Sequence, residues 1–85
     1  MKVFKVEWID SCASDFHWQL IEDLDEVIEP INIISYGVLV RESKDSITIA
    51  QNYGLNPLQC CSLMTIPRGC IKKKTVIENI KANGI

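Results

Sequence analysis

The 85-residue chain is 47% apolar and 24% charged, with three prolines and four glycines, which excludes a disordered tail and a collagen-like repeat and fits one small domain over residues 1–85. Its net charge of −2 excludes a uniformly basic nucleic-acid binder. That average hides two halves: Met1–Ser35 carries two basic and eight acidic residues, or −6, and Tyr36–Ile85 carries seven basic and three acidic, or +4. Thirteen isoleucines, six valines and three threonines stand against three alanines, so β-branched side chains dominate and predict a mainly β protein.

Lys2–Ile9 alternates, with Phe4, Val6 and Trp8 on one face and Lys5 and Glu7 on the other, the pattern of a half-buried strand. Asp10 and Ser11 interrupt it. Ser14 and Asp15 then cap a predicted helix whose apolar residues Phe16, Leu20, Leu24, Val27 and Ile28 recur at spacings of three and four. Asp25, Glu26 and Glu29 oppose the macrodipole at its C-terminal end and Pro30 stops it, so the segment reads as a short helix or a helical loop.

From Ile31 to Arg41 both faces carry apolar residues around Gly37, predicting a long bent strand buried on both sides. The polar run Arg41–Ser46 is a turn, and alternation resumes over Ile47–Gln51, so the two strands form a hairpin. Asn52–Pro57 reads as a second loop and Cys60–Ile66 as a fourth strand ended by Pro67 and Gly69. A last strand runs through Val76 and Ile77. The expectation is a small five-stranded SH3-like barrel, with the helix or helical loop inserted between strands 1 and 2 and the edges protected by closure.

The first residues contain no apolar signal core, and no uninterrupted apolar stretch approaches the ~18 residues of a membrane span. A cytoplasmic protein without membrane contact is expected, with Cys12, Cys60, Cys61 and Cys70 reduced. No C-x-x-C pair is present and adjacent cysteines rarely share one tetrahedral ion, so the thiols read as buried and structural, with no metal and no cofactor. His17 is the single histidine, and no nucleophile elbow, P-loop or H-E-x-x-H occurs. Cys12 precedes His17 by five positions in an acidic segment that disfavours a thiolate. The chain is therefore not read as an enzyme.

Binding chemistry is better represented. Trp18, His17 and Tyr53 offer flat faces for a base, and Arg41, Arg68 and Lys72 offer partners for phosphate. Trp8 and Tyr36 are assigned to the core by their strand faces. Glu22, Asp23, Asp25, Glu26 and Glu29 form an acidic face suited to covering a basic protein surface. The Lys72–Lys74 run reads first as a device that keeps an edge strand soluble.

Two stretches resemble the Sm-like barrel: Gly37-Val38-Leu39 leading through Asp45 into Ile47-Thr48-Ile49, and Ile66-Pro67-Arg68-Gly69-Cys70-Ile71. That resemblance implies a ring binding uridine-rich RNA, with Arg68 and Gly69 lining the pocket; Pro67 and the lack of an asparagine after the acidic turn depart from it. Most of the chain also resembles small uncharacterised phage or prophage proteins, through Trp8-Ile9-Asp10, Ser35-Tyr36-Gly37-Val38-Leu39 and the same Ile66–Ile71 stretch. This second resemblance implies a phage-encoded protein of the host cytosol and brings no activity with it. The functional expectation is a homo-oligomeric binding protein that sequesters a host nucleotide signal, cyclic or of ADP-ribose type. Blocking of a host protein by the acidic face is the alternative, and RNA binding the third.

Overall fold

The computed structural model describes residues 1–11, 18–23 and 29–81. They form five antiparallel strands: β1 (Lys2–Asp10), β2 (Ile31–Glu42), β3 (Ser46–Leu55), β4 (Leu58–Pro67) and β5 (Ile71–Asn79). All five lie in one sheet of order β4-β3-β2-β1-β5. The mainly β expectation holds.

The register explains how one sheet makes a core. The first part of β2 pairs with β1, from Asp10 opposite Ile31 to Val3 opposite Val38. Its last part pairs with β3, from Val38 opposite Ala50 to Glu42 opposite Ile47. β2 is thus shared by two half-sheets that meet at Gly37 and Val38. A Cβ on Gly37 would lie 2.9 Å from both the Ala50 carbonyl oxygen and Ile49 Cβ, so glycine lets β3 approach where the two halves part. Beyond it, a register shift between Leu39 and Arg41 adds to the bend.

The bend turns the β1 face onto β3 and β4. Phe4 and Val6 pack with Ile47, Ile49 and Ile66, and Trp8, Leu39, Cys70 and Ile71 close around them. Full burial of Ile47 or Ile66 contributes about 1.5–3 kcal/mol each by transfer from water. Arg68–Cys70, a single 3-10 turn, joins β4 to β5 at one corner.

Three expectations change. The barrel is not closed, because β4 and β5 are the two edges of the sheet and do not pair. A side chain covers the core beside β5: Lys74 Nζ stands 5.2 Å from the centre of the Phe4 ring. The segment expected as an inserted helix holds, among the described residues, only a 3-10 turn at Ile21–Asp23; Ser14–His17 and Leu24–Ile28 lie outside the described residues. β2 is not buried on both sides, since Ile34 and Tyr36 are exposed on the face away from the core, and Ile31 is exposed at the strand end. In addition β3 runs on through the predicted loop to Leu55, leaving Asn56–Pro57 as the turn into β4. Leu55 pairs with Leu58, so pairing with β4 carries the polar residues Asn52–Gly54 as strand.

Candidate functional site

At the far end of β1 the strand neighbours bring three kinds of chemistry together. Trp8 stands opposite Ile33 on β2 and Ile71 on β5, and Glu7 stands opposite Ile34 and Lys73. These residues, with Asn32 and Lys72, line a groove of about 380 Å³. Ile34, on the face of Glu7 and Lys73, supplies its apolar surface, while Trp8 and Ile33 border it from strand positions whose side chains turn to the core face. Lys72 and Lys73 supply two positive charges against the one negative charge of Glu7.

The groove is held in shape by bonds that cross the fold. The indole Nε1 of Trp8 donates to Ser35 Oγ at 3.0 Å, and Ser35 Oγ reaches Met64 Sδ on β4 at 3.8 Å. Ser35 sits opposite Val6 on the core face of β2, so one hydroxyl ties the Trp8 ring to both half-sheets and fixes its orientation. Lys72 Nζ donates to Asn32 Oδ1 at 3.4 Å. That contact holds the ammonium beside Asn32, whose amide nitrogen has no hydrogen-bond partner among the described residues.

Of the six ligand residues expected from sequence, Lys72 lies in this groove. Arg68 is engaged elsewhere: its Nε donates to the Ser43 carbonyl at 2.7 Å and its terminal nitrogen to Glu42 Oε2 at 3.1 Å. Its backbone N–H donates to the Asp45 carbonyl at 2.8 Å. Together these bonds pin the β2–β3 turn to the end of β4, a structural role that a search for phosphate partners does not anticipate. Arg41 lines a second groove, of about 420 Å³, with Val40, Thr48, Cys60, Leu63 and Thr65. Nine strand steps separate it from Asn32, about 30 Å of chain contour.

Tyr53 belongs to β3, where its side chain lines a third groove with Asn52, Gly54, Gln59, Cys60 and Cys61. Its hydroxyl oxygen is buried and has no hydrogen-bond partner among the described residues. Trp18 is fully exposed at 103% of its reference area and Ile21 at 88%, so Trp18 does not close the core. Glu22 and Glu29 are exposed as well, and Asp23 ends the 3-10 turn. His17, Asp25 and Glu26 lie outside the described residues.

Sequence reading therefore names one wall of the groove and misses Trp8, Asn32 and Lys73. Trp8 is placed in the core by alternation, and it does pack there, but its position near the strand end leaves part of the ring at the surface. Tyr36, placed in the core by the same reasoning, is 56% exposed. The cysteines also differ from expectation: Cys60 and Cys61 are exposed free thiols on the edge strand and Cys70 is half-buried. Among the described residues no group of three or more His, Cys, Asp or Glu side chains is placed to hold a metal ion. No described helix is long and apolar enough to cross a membrane. No protein-family model, no curated protein and no solved structure matches the chain.

Proposed function

We propose that this chain is a non-catalytic binding protein whose site is the Trp8–Lys72–Lys73 groove, and that it takes a small anionic ligand carrying an aromatic base. The observation that carries the reading is the gathering of Lys72, Lys73 and Asn32 beside Ile34 in a groove of about 380 Å³, a size suited to a mononucleotide. The ammonium groups of Lys72 and Lys73 meet phosphate oxygens, and the Asn32 amide donates to a base or sugar oxygen. The exposed Ile34 side chain gives the base an apolar surface beside the lysines. The strand order and the 3-10 turn before the last strand support the related proposal that the fold is a small barrel of the SH3-like kind, left open along the seam between β4 and β5.

The resemblance to phage proteins makes a host nucleotide signal the first ligand to try, with sequestration in the host cytosol as the biological role. Calorimetric titration with a panel of cyclic nucleotides and ADP-ribose derivatives tests this. Binding is expected for at least one member and should weaken by tenfold or more in the Lys72→Ala/Lys73→Ala double variant. Silence across the panel overturns the reading. RNA recognition through Arg68 has less support, since that guanidinium already serves the β2–β3 turn.

A second reading is favoured by the link between β1 and β2. Trp18, Leu20 and Ile21 are each exposed, as are Glu22 and Glu29 in the same link, a mixture of apolar and acidic groups suited to a basic protein surface. Glu22→Gln/Glu29→Gln substitution should abolish activity under this reading and spare it under the first.

A further inference from the structure

The two edges of the sheet are protected very differently. β5 carries Lys72, Lys73 and Lys74 directly after its first residue, and Glu78 near its end, charges of the type that keep an open edge from pairing. β4, Leu-Gln-Cys-Cys-Ser-Leu-Met-Thr-Ile-Pro, has no charged residue in ten positions. All of it except Ile66 is exposed, including Leu58 and Leu63 at 58% each. Such a strand presents a row of backbone donors and acceptors beside apolar side chains with nothing to repel a visitor. One feature interrupts it: Ser62 has φ 60°, with its hydroxyl held by Asn52 Nδ2 at 3.3 Å.

We propose that β4 pairs edge to edge with β4 of a second copy of this chain, in a two-fold dimer whose sheet runs continuously through both subunits. The charge pattern selects this occupant. In two-fold antiparallel pairing β4 opposes no like charges in any register, whereas β5 pairing about Lys73 would crowd Lys72–Lys74 of both copies and escapes this only when centred near Thr75, with Lys72 opposite Glu78. Leu63 and Cys61 flank the Ser62 interruption, so they bracket both stretches available for pairing. The inference stands apart from the nucleotide reading, because the groove is built from β1, β2 and β5.

Sedimentation velocity on the intact chain tests it. The wild type is expected to sediment as a dimer in the tens-of-micromolar range. The Cys61→Lys/Leu63→Lys variant, with its β-type circular dichroism retained, should sediment as a monomer, since its added charges oppose their own copies across the two-fold axis. The Val76→Lys/Ile77→Lys variant of β5 should remain dimeric. A monomeric wild type, a dimer indifferent to the β4 charges, or dissociation by the β5 charges alone overturns the proposal. Should the β4 variant misfold, hydrogen exchange on the unmodified chain decides. Amides of Leu58–Pro67 should gain about tenfold protection as concentration rises from about 1 to about 100 μM, and protection independent of concentration counts against the pairing.

Discussion

The two ends of β2 connect to their neighbouring strands by opposite means. At the end next to β3 the chain reverses through Lys44 and Asp45, with the Ser43 N–H donating to the Ser46 carbonyl at 2.8 Å. Ser43 Oγ accepts from the backbone N–H groups of Asp45 and Ser46. Arg68 adds its grip on Glu42 and Ser43 from the end of β4. At the other end, residues 11–30 connect β1 to β2, and the described part of that link exposes Trp18, Leu20 and Ile21. One connection satisfies its polar groups internally and the other presents apolar groups outward. The first builds the fold; no described side chain of the second is buried in it.

Substitutions can break or sharpen this contrast. The largest effect belongs to the core on which the tight end rests: Ile66→Ala should cost about 2–5 kcal/mol, read from the urea unfolding midpoint. A cost below about 1 kcal/mol would mean that the two half-sheets do not pack through Ile66. Arg68→Ala comes next, at about 1–2 kcal/mol, since it removes a hydrogen bond to a carbonyl and a partly exposed ion pair. Arg68→Lys should recover little of this, because lysine lacks the fork that reaches both Ser43 and Glu42. The smallest effect is expected at the open end, where Trp18→Ser combined with Ile21→Ser should leave the unfolding midpoint unchanged. A clear loss of stability there would show that the link contributes to the fold and would erase the contrast.

Much of the strand architecture was legible in the sequence because alternation records which side chains share a face. Phe4, Val6 and Trp8, and Ile47 and Ile49, pack on one core as their spacing implies. What alternation cannot record is whether a face is covered. Ile34 and Tyr36 have the composition of a buried face and lie exposed, and the apolar and cysteine-rich β4 is an open edge. The extension of β3 through Asn52–Leu55 was hidden for a different reason. Asn and Gly are common turn formers, and only pairing with Gln59–Cys61 and Leu58 on β4 makes a strand of them. The structural bonds of Arg68 were not legible because its partners at Glu42 and Ser43 are distant in sequence, beyond the reach of any local pattern. The groove was half legible: the lysine run is visible in the sequence, but that Trp8 and Asn32 stand beside it depends on the register of three strands.

The hydrogen bond from Trp8 to Ser35 also gives the molecule an internal optical contrast. The chain has two tryptophans, one packed against the core with its indole N–H bonded to protein and the other wholly in water. Their fluorescence should therefore separate into a bluer, shielded component and a redder component open to aqueous quenchers. The two belong to the two regions proposed for binding, so the shielded emission reports on the groove and the quenchable emission on the link. Unlabelled protein thus carries its own means of telling which of the two a bound molecule has reached.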